Sequence, residues 1–150
     1  MEIRRSVPAD APEIAAAEAL IFTDAWSERS ISDLIATEGA MCYTVKDGER
    51  VIAYLLGRVI APEGEIYRIA TLPLHRGRGV AYRLLDYAYK TEQGRGLEVL
   101  FLEVRTQNIA ARSLYRAYGF KEVGIRKKYY TDPVDDAVIM LKAHPDDLKN

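Results

Sequence analysis

The run Val99–Val104, "VLFLEV", constrains the fold of this chain more than any other stretch. Five of its six residues are apolar and most favour strands, so it reads as a strand buried on both faces. Such a strand needs a layer on each side of its sheet, which points to helices and strands packed together. Its single polar residue, Glu103, stands just before the strand ends, followed by Arg105 and Asn108. A carboxylate in that place needs either a partner or a task.

The neighbouring periodicities supply the layers. "EIRRSV" is a short alternating edge strand, and Asp10 is expected to cap a helix through "APEIAAAEALIF", with Pro12 in its first turn. Ser27 opens a second helix with Ile31, Leu34 and Ile35 on one stripe. "MCYTV" and "VIAYLLGRVI" flank "KDGER" as a β-hairpin with Asp47–Gly48 at the turn. "EIYRIATL" is a strand ended by Pro73, and a helix from Gly79 to about Gln93 presents Ala81, Leu84, Leu85 and Ala88. After "LEVLFLEV" comes a helix starting at Asn108 and closed by Gly119, then two strands, "FKEVGIRKKYY" and "DAVIMLKA". The order is βααβββαβαββ, an α/β chain whose antiparallel front half passes into β-α-β crossovers. No repeat or linker divides it, so residues 1–150 read as one domain with a loose tail, "HPDDLKN".

Charge and cysteine content bound the function classes. Lys+Arg 21 against Asp+Glu 22 gives a net charge of -1, no whole-molecule attraction toward nucleic acid or an anionic membrane. Cys42 is the only cysteine and reads as a small core residue. The start lacks a signal-peptide core and no apolar run is long enough to cross a bilayer, so a cytoplasmic protein is expected. His75 and His144 are isolated, and no metal site is expected.

Two stretches carry chemistry. In "LPLHRGRGVAYRLL", Gly77 and Gly79 allow close backbone approach, a fresh helix N-terminus offers free N–H groups, and Arg76 and Arg78 add charge. This describes an anion site sized for phosphate or pyrophosphate. A Walker A loop would need Gly-Lys-Ser/Thr, and a dinucleotide fingerprint would need a small residue where Tyr82 stands. The bland alternative is a tight turn with solvated arginines.

The second stretch joins the Glu103 strand to the next helix. Val99, Phe101, Glu103 and Arg105 share one strand face; Asn108, Arg112 and Tyr115 form one helical stripe, while Ala111, Leu114 and Tyr118 form a sheet-packing stripe. The polar stripe can lean over the end of a parallel-type strand, where α/β proteins bind ligands. Apolar neighbours there would raise the Glu103 carboxyl toward a useful range for a base, Tyr115 is a hydroxyl acid, and Asn108 can hold a ligand's amides. Alternatively Glu103 pairs with Arg105 or Arg68 and Tyr115 is ordinary core.

"YRIATLPLHRGRGVAYRLL" resembles the acyl-CoA signature of the GNAT N-acetyltransferase superfamily, R/Q-x-x-G-x-G/A, with Arg76, Gly79 and Ala81 in its places. "FLEVRTQNIAARSLYRAYGF" with "IRKKYYTDPVDDAVIM" is similar to the narrower ribosomal-protein-alanine N-acetyltransferase family, and "AWSE" matches its Trp-Ser entry to the second helix. The resemblance implies a GNAT-like mixed, mostly antiparallel sheet of about seven strands flanked by four helices, with acetyl-CoA as co-substrate and no metal. It implies Glu103 as general base and Tyr115 as general acid. Asn108 would bind the pantetheine arm, and the backbone of Ile69, Ala70 and Thr71 would pair with pantetheine and hold the thioester carbonyl. The loop Arg76, Gly77, Arg78, Gly79, Val80, Ala81 and Tyr82 would cradle the pyrophosphate. Trp26, Tyr129 and Tyr130 are candidates for lining an acceptor groove, or for core or rim packing. Gln107, the Ala81–Tyr82 continuation and the acidic turn "PVDDA" depart from the family pattern, and that turn is expected to border the groove.

The implied acceptor is a protein N-terminus, that of a ribosomal protein beginning with alanine. An α-amino group of pKa about 8 is roughly a tenth neutral at pH 7, whereas a lysine of pKa about 10.4 is less than roughly a thousandth neutral. One carboxylate base therefore has less to do for a chain terminus. A lysine side chain, a polyamine or another small amine is the alternative acceptor, and a non-catalytic acyl-CoA-binding module is the alternative of another class.

Overall fold

The computed structural model describes residues 1–143; the expected loose tail "HPDDLKN" lies outside the described residues. The elements are β1 (Glu2–Arg5), α1 (Ala11–Ile21), α2 (Glu28–Ala36), β2 (Tyr43–Asp47), β3 (Arg50–Ile60), β4 (Glu63–Thr71), α3 (Val80–Gln93), β5 (Val99–Arg105), α4 (Ile109–Tyr118), β6 (Lys121–Thr131) and β7 (Val134–Ala143). Their order is the one expected. The strands form one sheet, β1-β2-β3-β4-β5-β7-β6, antiparallel throughout except between β4 and β5.

Local chemistry accounts for most boundaries. Ser27 caps α2 by accepting the Ser30 N–H at 3.1 Å, and Asn108 caps α4 by accepting the Ala111 N–H at 3.2 Å. Two expectations are corrected. The Asp10 carboxylate does not cap α1. It turns back to the Val7 N–H at 2.9 Å and to both terminal nitrogens of Arg4 at 2.7 and 2.8 Å, pinning β1 to the 3₁₀ turn Pro8–Asp10. The hairpin loop is Gly48–Glu49, one residue later than expected, with the left-handed φ of +61° on Gly48 alone.

Two buried clusters cover the two faces of the sheet. Ile14, Ala17, Ile31 and Leu34 of α1 and α2 pack on Val51, Tyr54 and Leu56 of β3. Leu84, Leu85 and Ala88 of α3 and Tyr115 of α4 pack on Leu55, Leu100, Leu102 and Met140. Leu100, Leu102 and Val104 are buried in this second cluster, whereas Val99, Phe101, Glu103 and Arg105 are only half-buried. The run that reads as enclosed on both faces is thus enclosed on one, and its other face is free to border a cavity. Ala81 is likewise half-exposed, and Val80 takes its place in the core.

The feature that positions the site is a gap in the middle of the sheet. β4 and β5 pair from Glu63↔Val99 to Ile66↔Leu102 and then part, although β4 runs on to Thr71 and β5 to Arg105. β5 is therefore parallel to β4 over its first half only, and antiparallel to β7 along its whole length. β4 keeps its ladder with β3 as far as Thr71↔Ala53, so its other edge carries free peptide groups from Tyr67 onward. Tyr67 has no partner on β3, a bulge that bends β4 away and reverses the phase of its side chains. The bulge brings the Glu65 carbonyl within 2.5 Å of where a Cβ on Gly57 would sit, so only glycine fits there.

Candidate active site

A cavity of about 910 Å³ opens at this gap. Ile66, Ile69, Val104 and Ala111 form apolar lining, and Glu103, Asn108 and Tyr115 face it from β5 and α4. One wall is the loop between α1 and α2, from Phe22 to Trp26; the opposite wall runs from Tyr129 to Pro133. Glu103 and Tyr115 therefore border one cavity, Glu103 from the open face of β5 and Tyr115 from the cluster that covers its other face.

The partners of Glu103 are not those expected. Its Oε1 accepts from Arg126 Nη1 at 2.7 Å, while Oε2 is buried with no hydrogen-bond partner among the described residues. Arg68 is engaged with Glu18 and Asp24, and Arg105 with the carbonyls of Asp132 and Pro133. Beside Glu103, Glu65 on β4 is a second carboxyl that sequence periodicity did not single out. Burial, then the charge of Glu103, hold its pKa above the ordinary value, and Arg126 opposes them.

Tyr115 is 5% exposed and packs on Phe120 with ring centroids 5.6 Å apart. Burial, reinforced by Tyr130, pushes its phenol upward, so it stays protonated at physiological pH. Tyr130 itself is pushed up to about 12 by burial and by Glu103.

A distortion of β6 accompanies the turn of Tyr129 and Tyr130 to the cavity. Between Arg126↔Ala137 and Tyr130↔Asp135, Lys127, Lys128 and Tyr129 stand opposite Asp136 alone. Lys128 takes a left-handed φ of +51°, and its N–H donates to Asp136 Oδ1 at 2.8 Å. Asp135 accepts from the Thr106 hydroxyl and from the Gln107 N–H at 3.2 Å, anchoring the β5–α4 connection. The acidic pair of the "PVDDA" turn thus holds backbone in place and does not line the cavity; Asp132 and Pro133 do. Arg112 also leaves the expected stripe, bonding Thr106 O at 2.7 Å and Glu122 at 2.8 Å.

The glycine-rich loop lies beyond β4 and does not line this cavity, nor do Ala70 and Thr71. Gly77 and Gly79 have φ of +78° and +74°, and a Cβ on either would meet nothing within 4 Å. Unlike α2 and α4, α3 has no side-chain cap, so its first N–H groups are free for a ligand. Arg76 Nε donates to Thr71 O at 3.0 Å, Arg78 is exposed, and Tyr82 packs edge-on against Tyr118 with centroids 5.3 Å apart. Trp26 stacks on Tyr67 at 5.8 Å, at the mouth of the cleft.

The sequence that builds this parted sheet and the open glycine turn before the uncapped helix is that of a known family. Residues 11–120 fit the acetyltransferase (GNAT) family, and the chain belongs to it as an acyltransferase. It is similar to the N-alpha-acetyltransferase RimI of Mycobacterium tuberculosis, 34% identical over 140 residues, spanning 89% of this chain and 87% of that one. The [ribosomal protein bS18]-alanine N-acetyltransferase of Escherichia coli K12 is 32% identical over 117 residues, 77% of this chain and 78% of the relative. In three dimensions, the crystal structure of the ribosomal-protein-S18-alanine N-acetyltransferase of Escherichia coli superposes with a TM-score of 0.88 and 29% identity, covering 95% of this chain and 92% of that one. Among the described residues, no helix is long and apolar enough to cross a membrane, and no three His, Cys, Asp or Glu side chains form a metal-binding group.

Proposed function

We propose that this protein transfers the acetyl group of acetyl-CoA to the N-terminal α-amino group of a protein in the cytoplasm, the acceptor being a small-subunit ribosomal protein that begins with alanine. The observation that carries this reading is the single cleft shared by a carboxylate with one free oxygen and a protonated phenol. The names of the relatives support the choice of acceptor.

The chain fits acetyl-CoA at three points. The free edge of β4 offers the Ile69 peptide groups and the Thr71 N–H to the pantetheine amides, while Ala70, between them, turns its own toward β3 and the Thr71 carbonyl is held by Arg76. The side-chain amide of Asn108 faces the same gap. The uncapped start of α3 and the open space over Gly77 and Gly79 suit a pyrophosphate, with Arg76, Arg78 and the backbone of Val80, Ala81 and Tyr82 around it. The co-substrate supplies the activated acyl group. Glu103 Oε2, the oxygen not engaged by Arg126, receives the proton of the incoming ammonium, directly or through one water. Trp26, Tyr129 and Tyr130 flank the acceptor chain.

Transfer is direct, without an acyl-enzyme. The lone Cys42 lies outside the cavity, its thiol pushed up to about 11 by burial, so little thiolate forms at neutral pH. Two outcomes test the reading. Acetyl transfer to an alanine-starting peptide should exceed transfer to an N-terminally blocked, lysine-containing peptide and to spermidine by about 100-fold in kcat/KM, following the amines' neutral fractions. Comparable rates on the blocked peptide would move the acceptor to lysine. Gly79→Val, forcing a β-branched residue into a left-handed conformation, should weaken acetyl-CoA binding at least about tenfold by calorimetry; unchanged binding would refute the cradle.

A further inference from the structure

Two arginines stand on the strands that part, one on each side of the gap, and neither is needed to pair Glu103. Arg68 follows the bulge residue on β4. Its Nε lies 3.1 and 3.2 Å from the Glu18 oxygens, and its Nη2 lies 3.0 Å from Asp24 O and 3.1 Å from Asp24 Oδ1. The guanidinium carbon sits 3.8 Å from the centroid of the Phe22 ring. Glu18 is fully buried and also accepts from the Tyr54 hydroxyl at 2.5 Å and from the Trp26 N–H at 3.0 Å. One guanidinium thus grips the α1–α2 loop at Phe22 and Asp24, and through Glu18 at Trp26.

Arg105 ends β5 and does the same to the opposite wall. Its Nη1 donates to Pro133 O at 2.7 Å and its Nη2 to Asp132 O at 3.2 Å, with the guanidinium carbon 4.2 Å from the centroid of the Tyr130 ring. Between the walls, the Thr23 hydroxyl donates to the same Asp132 carbonyl at 3.0 Å. Each arginine combines bonds to loop carbonyls with a stacked aromatic ring, a pattern that needs a planar fork and that lysine cannot copy.

We infer that Arg68 and Arg105 are acceptor-positioning residues: from the two parted strands, each brackets one wall of the cavity mouth, and together they fix its width. Neither touches the reacting atoms. Loops of this kind open easily unless held, and an acceptor entering a loose mouth must order both walls as it binds. The brackets do that ordering in advance. Their effect therefore falls on acceptor binding, and not on the acetyl-CoA cradle or on the proton transfers at Glu103 and Tyr115. The inference rests on the reading that this cavity takes the acceptor.

The test uses the full chain. Arg105→Gln breaks hydrogen bonds to two carbonyls and no ion pair, so it leaves no buried charge behind. Arg68→Gln would strand the buried Glu18 carboxylate, so the charge-balanced Glu18→Gln/Arg68→Gln variant is made alongside it. With an alanine-starting peptide, each is expected to raise the acceptor KM about tenfold, with kcat and the acetyl-CoA Kd within about twofold of wild type. A purely structural role would instead reduce active enzyme at unchanged KM. Trp26, the only tryptophan of the chain, gives a readout independent of turnover: acrylamide should quench it more strongly in both position-68 variants. Unchanged acceptor KM in Arg105→Gln, a parallel loss of acetyl-CoA affinity, or wild-type quenching of Trp26 in the double variant overturns the inference. If wild-type protein acetylates no peptide, the proposed function fails, while the quenching comparison still decides whether Arg68 holds the loop.

Discussion

Tyr115→Phe is expected to lower kcat by about 100-fold or more, the usual range for loss of a positioned general acid, with acetyl-CoA affinity within about twofold. The substitution keeps the ring that packs on Phe120 and removes only the hydroxyl. Burial holds that hydroxyl protonated, and in the proposed reaction it donates its proton to the thiolate that departs when the amide forms. A phenol of raised pKa is a weak acid toward a thiol in water near pKa 8.5, but a thiolate leaving into the same buried space is raised as well. The match is therefore closer than the solution values imply. Steady-state kinetics with calorimetric binding separate the outcomes: collapsed affinity with normal turnover per bound complex would remove Tyr115 from the chemistry.

Glu103→Gln is expected to lower kcat/KM by about 100-fold or more at pH 7, with the deficit narrowing as pH rises past about 8. Glutamine keeps an oxygen for Arg126, so the side chain stays where it is, and the atom in place of Oε2 becomes a donor that cannot receive a proton. The sign of the pH dependence follows from the acceptor. Below its pKa the α-amino group arrives charged and needs the base; above it, solvent has already removed the proton. The pH profiles of kcat/KM for both proteins check this. A constant deficit from pH 6 to pH 9 would mean that Glu103 binds the acceptor and does not deprotonate it.

How much of this was visible beforehand depends on the range of the interaction. The caps at Ser27 and Asn108 and the glycines at 79 and 119 are local devices, so helix starts and stops could be read from a few adjacent residues. Strand and helix periods offered Glu103, Asn108 and Tyr115 as a group but left open an ion-paired Glu103 and a core Tyr115; the chemical roles came from the family resemblance. Asp10 misled because its choice between capping α1 and binding Arg4 is settled by β1, a partner from outside the helix. Arg126 as the partner of Glu103, in place of the expected Arg105 or Arg68, was missed for a related reason: Arg68 and Arg126 each stand next to a bulge, at Tyr67 and at residues 127–129, where alternation changes phase. Nothing in "GEIYRIAT" or "GIRKKYYT" marks the residue that drops out of the count.

The parting of β4 from β5 has a mechanical consequence. Past Ile66 and Leu102 the protein is two half-sheets joined as at a hinge, each short of a neighbour along its inner rim. The pantetheine arm proposed to lie in the gap would serve as the missing strand and knit the halves together, making the molecule most complete when loaded. In a cell, its durability should rise and fall with the supply of its own acetyl donor.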